Sequence, residues 1–293
     1  MISFAIIVHN SEELLSRLLL CLDSNRERVL SEVIIVDEGS DSVPSVGSER
    51  YPVRKVRFEK NRGYAHGVNQ ALRLARSPFF AFANPDVWLP SGALEGLIST
   101  FSGRQELAMV APWFRDSRHG LLRGGRGLPG LTNEGLEALG VHRFWPSNPI
   151  RRAHWNPRWD LLGPPCLAGP LMVGRTQRLR DVGGLDEGYF LYNEEIDLAL
   201  RLRVRGWAIE DVDQVVVDHL GAGSKVPAEF LESRRRESLI RYLGIHGGQV
   251  TSSLSRMLLP LFSSARRGRV HLADLSKRAW HRVRRASGIP PAR

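Results

Sequence analysis

The residues of this chain best suited to chemistry are acids placed where an ordered fold would gather them. The run Asp186-Glu187-Gly188-Tyr189-Phe190-Leu191-Tyr192-Asn193-Glu194-Glu195-Ile196-Asp197-Leu198 sets aromatic and apolar side chains directly before three carboxylates. A carboxylate in a partly buried mouth of that kind can act as a general base. The same three acids also suit the first turn of a helix, where the dipole favours negative charge. Asp86, in Asn84-Pro85-Asp86, can hold a divalent cation against a diphosphate or close an Asx turn. His219, in Asp218-His219-Leu220-Gly221, is either a second ligand or a structural histidine. Asp37 can accept hydrogen bonds from a nucleobase imide or a ribose hydroxyl, or it can cap its own loop.

These residues fall at the ends of predicted strands. Ile2–Val8 is a short continuous apolar run of the kind buried on both faces of a sheet. Glu32–Val36 is a second such run, Val53–Phe58 alternates as a third strand, and Phe79–Ala83 is a fourth. Ser11 reads as an N-cap, followed by leucines at helical spacing through Leu22. Residues 64–76 and 92–101 read as helices, Leu107–Ala111 and 166–173 as strands. A helix follows the acidic cluster, then strand character over Trp207–His219 and a helix over Glu229–Leu243. The order predicts an α/β fold with a mostly parallel sheet. In such a sheet the ligand sits beyond the carboxyl ends of the strands, so His9-Asn10, Asp37, Asn61 and Asp86 should converge. Residues 112–160 break the pattern and read as a long irregular excursion over the site, carrying Trp113, Trp145, Trp155 and Trp159. Arg123, Arg126, Arg151 and Arg152 in that stretch either meet an anionic acceptor or are solvated.

Charge divides the chain. Of a net +10, residues 1–224 carry −1 (26 basic, 27 acidic) and residues 225–293 carry +11 (15 basic, 4 acidic). The basic excess, including Arg234-Arg235-Arg236, Arg241, Arg266-Arg267-Gly268-Arg269 and Lys277 to Arg285, suggests an anionic partner or a solvated tail. Two cysteines, Cys21 and Cys166, cannot form a disulfide framework, and a reduced protein is expected. No signal peptide and no apolar run long enough to span a bilayer is visible. The first turn is His9-Asn10-Ser11, with no G-x-G-x-x-G and no P-loop, which disfavours a dinucleotide oxidoreductase. A nucleotidyltransferase would need a Gly-rich, Lys-containing loop that residues 8–13 lack. Nucleic-acid binding would explain the tail but not the strand-end acids, and no nucleic-acid partner is expected.

Taken together the segments resemble bacterial glycosyltransferases of family 2, best the rhamnosyltransferase-like branch. Ile6-Ile7-Val8-His9-Asn10-Ser11 resembles that family's opening V-x-x-Y-N-S, and Val36-Asp37-Glu38-Gly39-Ser40 its V-D-N-G-S. Asn61-Arg62-Gly63-Tyr64-Ala65-His66-Gly67-Val68-Asn69 resembles N-x-G-F-A-x-G-x-N. Asn84-Pro85-Asp86 is similar to the N-P-D form of the metal-binding D-x-D. Ala168-Gly169-Pro170-Leu171-Met172 resembles G-A-x-M-L, and residues 183–198 resemble G-x-F-D-E-x-F-F-x-Y-x-E-D-x-D-L. Arg203-Val204-Arg205-Gly206-Trp207 and His219 complete the order, which covers residues 2–247.

The resemblance implies a GT-A fold: a nucleotide-binding, Rossmann-like, mostly parallel sheet with helices on both faces, plus a basic helical C-terminal extension. It implies a catalytic domain over 1–224, with a nucleotide-sugar half (1–111) and an acceptor half (112–224), and an extension over 225–293. Asp37 would bind the base or ribose, with His9 and Asn10 framing the base. Asn61 and Gly63 would line the pocket, Asn69 would support it, and Asn84 and Gly169 would lie against the substrate. Asp86 and His219 would hold Mg²⁺ or Mn²⁺. Glu195 stands at the position of the family's base, where Asp is usual; it or Glu194 would take the proton, and Glu194 and Asp197 would orient the acceptor or cap the helix. The implied reaction is inverting transfer from a nucleoside-diphosphate sugar, dTDP-rhamnose first and a UDP-sugar next. The acceptor would be a glycan or a polyprenyl-diphosphate-linked sugar of cell-envelope polysaccharide synthesis. The enzyme would be cytoplasmic and held at the cytoplasmic membrane face by 225–293. A non-catalytic nucleotide-sugar-binding protein on the same fold is the alternative. Glu38 stands where the family has Asn, which would put two acids beside the nucleotide, and Gly169-Pro170 stands where it has Gly-Ala.

Overall fold

The computed structural model describes residues 1–264 apart from 26–27, 43–47, 49, 117–119, 146–147, 151–153, 155–159, 222–225, 249 and 252. Arg151, Arg152, Trp155, Trp159 and the basic run from Arg266 onward lie outside the described residues.

The chain opens with β1 (Ile2–Val8), α1 (Glu12–Asn25), β2 (Leu30–Glu38), β3 (Val53–Phe58), α2 (Tyr64–Leu74), β4 (Phe79–Ala83), β5 (Val87–Trp88) and α3 (Ala93–Ser99). It continues through β6 (Leu107–Asp116), β7 (Gly120–Leu122), β8 (Gly125–Arg126), α4 (Leu131–Ala138) and α5 (Val141–Phe144). Then come β9 (Cys166–Leu167), β10 (Leu171–Arg175), α6 (Thr176–Asp181), α7 (Glu194–Val204), β11 (Ala208–His219) and α8 (Ala228–His246). Residues 250–251 and 253–264 are helical as well. Among its described residues, the stretch expected to be irregular thus carries the end of β6, the short strands β7 and β8 and the short helices α4 and α5, the last four too brief for their periodicity to show in sequence.

The main sheet has the order β3-β2-β1-β4-β10-β6-β11-β5, with β7 on β6. Every residue of β1 is buried, as a run apolar but for Ser3 requires of a central strand; Ser3 donates to Glu32 at 2.6 Å. β3-β2-β1-β4 is parallel, so the carboxyl ends of these strands share one edge; Val8 pairs with Asp37, and Asp37 with Arg57. The second half is mixed: β10 runs antiparallel to both β4 and β6. β11 runs parallel to β6 and antiparallel to β5. Two cores sandwich the sheet. α1 seals one with Leu15, Leu18 and Leu22, and α2 the other with Val68, Ala71 and Leu72. α8 adds Leu239, Tyr242 and Leu243 to the α2-side core. Three of its four arginines are engaged within the described structure: Arg234 with Glu237, Arg235 with Glu134 and Arg241 with Asp186. Among the described residues no helix is long and apolar enough to cross a membrane.

Candidate active site

The parallel half delivers its polar strand ends to one edge. Asp37, 3% exposed, accepts the Ser40 amide on Oδ1 at 2.9 Å. Its Oδ2 lies 3.4 Å from the Arg57 guanidinium and accepts no hydrogen bond. Arg57 in turn donates to the Ser40 carbonyl at 2.8 Å. The Asn10 amide donates to Ser40 Oγ (2.9 Å), and Asn10 Oδ1 accepts from the Asp41 amide (2.8 Å). His9 Nδ1 donates to the Glu38 carbonyl at 2.8 Å. His9, Asn10 and Asp37 are therefore brought together, bound to each other's loops, with one carboxylate oxygen of Asp37 left over.

Glu38 behaves differently. It is 1% exposed, and its oxygens take the His66 Nδ1 proton at 2.6 Å and the Arg62 amide at 2.9 Å. Gln70 donates to the other nitrogen of His66 at 3.0 Å. The structure thus turns the expected second acid of the nucleotide pocket inward. It anchors the loop carrying Asn61, whose Oδ1 accepts from the Gly63 amide at 2.9 Å. Gly63 needs its lack of a side chain: φ is 100°, and a Cβ would lie 2.5 Å from the Phe190 carbonyl oxygen. That same carbonyl accepts from the Tyr64 amide at 2.8 Å. Asn69 extends the tie, bonding Leu185 through both its backbone groups (2.8 Å each) and Glu187 (2.9 Å). Both residues fasten α2 to the segment leading into α7.

Sheet register brings Asp86 and His219 together across 133 positions of sequence. β11 pairs His219 with Val87 on one side and with Asp116 on the other. Consequently His219 Nε2 lies 3.3 Å from Asp86 Oδ2, and Nδ1 lies 3.2 Å from Asp116 Oδ2. Burial pulls the imidazole pKa down, but hydrogen bonds and charge from Asp86 and Asp116 outweigh it and hold the group above its ordinary value. Asp86, Asp116 and His219 line a cavity of about 540 Å³ together with Leu14, Arg17 and Trp88. The donor set fits a divalent cation. One carboxylate and one imidazole, with the remaining positions left to phosphate and water, is the usual protein share of a Mg²⁺ or Mn²⁺ site on a diphosphate. A carboxylate on the far ring nitrogen is the usual support of a metal-binding histidine. Among the described residues no cluster of three or more His, Cys, Asp or Glu surrounds one cation position, so the fit depends on those outside ligands.

The mouth of α7 completes the site. Tyr192 and Asn193 both adopt left-handed backbone (φ 73° and 66°), a costly pair of conformations for non-glycine residues. They turn the chain so that α7 begins with Glu194 and Glu195. Oε2 of each accepts no hydrogen bond among the described residues although it is buried. Burial, and after it the charge of Glu195, raises the Glu194 carboxyl well above its usual value. Burial raises Glu195 too, opposed by backbone hydrogen bonding and the charge of Arg126. The Tyr64 phenol lies within electrostatic reach of both Glu194–Glu195 and Asp86. Burial first, then the charges of Glu194, Glu195 and Asp86, push its phenol well up. Asp197, by contrast, is fully engaged, with Arg201 at 2.7 Å and His246 at 2.8 Å, and so braces α7 against α8.

Asn84 donates its amide to the Pro170 carbonyl at 2.9 Å, joining the N-P-D turn to the Gly169-Pro170 corner. Gly169 sits at ordinary contact distance (3.5 Å for an added Cβ) from Phe114. Of the arginines, Arg123 is held by Asp211 at 3.0 Å and stacks over Trp113, whose indole donates to the same carboxylate. Arg126 stacks on Phe114 at 5.5 Å, and its charge interacts with both Glu195 and Asp116. Asp116, Tyr64 and Arg126 are thus neighbours of the site that motif spacing did not assign. The advance signals were Tyr64, a hydroxyl where the resembled motif carries Phe, and Arg126, one of the arginines weighed for an anionic acceptor.

Comparison with known proteins identifies the family and the fold. The glycosyl transferase family 2 model matches residues 3–155. The N-acetylglucosaminyl-diphospho-decaprenol L-rhamnosyltransferase of Mycobacterium tuberculosis is 31% identical over 251 residues, 80% of this chain and 81% of the relative. A mannosyltransferase of Pyrobaculum calidifontis, solved with GDP-mannose and Mn²⁺, superposes with a TM-score of 0.57 at 16% identity, covering 96% of this chain and 80% of its own. The glucosyl-3-phosphoglycerate synthase of M. tuberculosis, solved with Mn²⁺, UDP and phosphoglyceric acid, gives 0.56 at 15% identity, covering 85% and 79%. The chain belongs to glycosyl transferase family 2 and is a glycosyltransferase with a GT-A-type α/β fold.

Proposed function

We propose that this enzyme transfers a rhamnosyl unit, with inversion, from a nucleoside-diphosphate sugar to a polyprenyl-diphosphate-linked sugar at the cytoplasmic face of the membrane. dTDP-rhamnose is the favoured donor. The observation that carries the reading is the carboxylate pair Glu194–Glu195, in each of which Oε2 is buried and accepts no hydrogen bond among the described residues. The rhamnosyl and lipid-linked parts rest on the mycobacterial relative, whose name states both.

Asp37, with its spare Oδ2, binds the base or ribose, and His9 and Asn10 frame it. Asn61 and Gly63 set the loop wall, which Asn69 and Glu38 hold in place. Asn84 and Gly169 border the sugar. Asp86 and His219 hold a divalent cation, Mg²⁺ or Mn²⁺, which supplies Lewis-acid stabilisation of the leaving diphosphate. Asp116 fixes the His219 ring with its Nδ1 proton directed away from the ligand. Glu195 takes the acceptor hydroxyl proton as that oxygen bonds to the anomeric carbon and the bond to the diphosphate breaks. Glu194 keeps its proton beside it, since two adjacent buried carboxylates resist joint ionisation. Arg126 places positive charge between base and leaving group.

The test is a donor panel with the full chain, Mn²⁺ and a short-chain polyprenyl-diphosphate N-acetylglucosamine. Nucleoside diphosphate release from dTDP-rhamnose with extension of the acceptor is expected. Release from a different donor would overturn the rhamnosyl assignment. Undiminished turnover after exhaustive chelation would overturn the cation, and an unchanged anomeric configuration would overturn inversion.

A further inference from the structure

The last described helical residues, 250–251 and 253–264, are built inside out for a surface helix. Val250, Leu254, Met257 and Leu261 are exposed by 75%, 41%, 59% and 61%. Spacings of four, three and four put them on one stripe of a helix. The opposite face is buried and holds two serines: Ser255 is fully buried and Ser263 donates to Glu232 at 3.1 Å, with Leu259 between them. A helix that turns serine inward and aliphatic side chains outward has not been patterned for water on its outer side. The segment packs on α4 through Phe262, which lies against the Gly135 backbone. The α4–α5 pair exposes large apolar groups of its own, Leu139 (69%), Phe144 (86%) and Trp145 (55%).

We infer that the outward stripe Val250–Leu254–Met257–Leu261 is a docking surface for an anionic lipid bilayer. Charge selects this occupant. The chain continuing from the stripe, residues 265–293, carries nine Lys/Arg and one acid. A second copy of the chain would bring more of the same positive charge, whereas anionic headgroups complement it. Apolar side chains at the acyl boundary with basic residues at headgroup level is the arrangement of interfacial helices, and the two terms reinforce each other. The inference rests on the proposed lipid-linked acceptor only for its purpose; the binding itself needs no substrate.

The experiment is sedimentation of the full chain with vesicles of phosphatidylcholine alone or with phosphatidylglycerol, without donor or acceptor. The wild type should partition to the phosphatidylglycerol vesicles. The variant Val250→Ser/Leu254→Ser/Met257→Ser/Leu261→Ser should lose at least about tenfold in partition, since apolar insertion is half of the two-signal anchor. Thermal stabilisation by nucleoside diphosphate with Mn²⁺ should be retained. The single variant Met257→Glu, which leaves the buried face intact, should weaken partition in the same direction. Equal partition of wild type and variants would assign all binding to the basic tail and overturn the inference. Failure of the wild type to bind anionic vesicles would overturn it as well, leaving the transferase reading untouched if transfer to a soluble short-chain acceptor persists. A wild-type dimer in solution that the four-residue variant converts to monomer would make the stripe a self-interface instead.

Discussion

Two sets of acids, one at the end of β2 and one at the mouth of α7, are in opposite states in the structure. Glu38 has each carboxylate oxygen engaged, by His66 and by the Arg62 amide. Glu194 is buried as well and Glu195 partly so, yet each keeps a buried oxygen that nothing in the described structure bonds. Asp197, two positions on from Glu195, belongs with Glu38, since Arg201 and His246 occupy it. The lesson is that burial alone does not mark a catalytic carboxylate. A satisfied one shapes the fold, whereas an unsatisfied one carries a standing free-energy cost that makes sense only if a ligand or a proton relieves it.

The comparison breaks most visibly at Glu195. Glu195→Gln should lower kcat by about 10²–10⁴-fold, the range for losing a general base, with donor binding unchanged by thermal shift. Retained turnover would move the base to Glu194. On the structural side, Glu38→Ala strands the His66 and Arg62 donors and should cost about 2–4 kcal/mol. At this size that is a fall of about 2–4 °C in Tm per kcal/mol, read by calorimetry with and without nucleotide. A variant as stable as the wild type would place Glu38 among the spare acids after all.

Asp116 tests the histidine end of the site. Asp116→Asn should weaken Mn²⁺ binding about 10–100-fold in an electron paramagnetic resonance titration while leaving the metal-free Tm in place. A smaller effect is expected from Glu194→Gln, and it has the opposite sign to that at Glu38. The folded Glu194 carboxyl is held above its unfolded value. The stability it contributes below the ordinary carboxylate range is therefore lost as pH rises through the raised value. Glutamine does not titrate, so the variant should gain in Tm over the wild type on going from pH 4.5 to pH 8, by about 2–4 °C for each kcal/mol relieved. A difference in Tm that is flat with pH would contradict the buried-acid assignment. Finally, the Arg126 charge holds Glu195 down. Arg126→Gln should shift the acid limb of the kcat/KM profile to higher pH, and no movement would remove Arg126 from the neighbourhood of the base.

Much of this was legible in the chain. The run Ile2–Val8, apolar but for Ser3, specified a central strand, and β1 is buried at every position. Alternation in Val53–Phe58 specified a half-buried strand, and β3 lies at the sheet edge with its arginines and lysine. The glycosyltransferase family was legible because its motifs recur in order. The short helices over Leu131–Phe144 were not, because elements of one or two turns carry too little periodicity. The basic helix α8 read as a separate extension, since its charge hid the few residues, Leu239, Tyr242 and Leu243, that dock it on the core.

What the sequence determined by itself was the set of strands, the edge at which their polar ends collect, and the acids available there, because those depend on local pattern and parallel connectivity. Tertiary structure alone decided which acids have partners. Asp116 reaches His219 only through the β6–β11 register, Arg126 approaches Glu195 only because β8 pairs with β9, which packs against α7, and the stripe on the last helix faces outward only because Phe262 docks on α4. Each is a contact between distant parts of the chain. Such contacts fix the partner count, and so the chemistry, of residues whose types the sequence had already supplied.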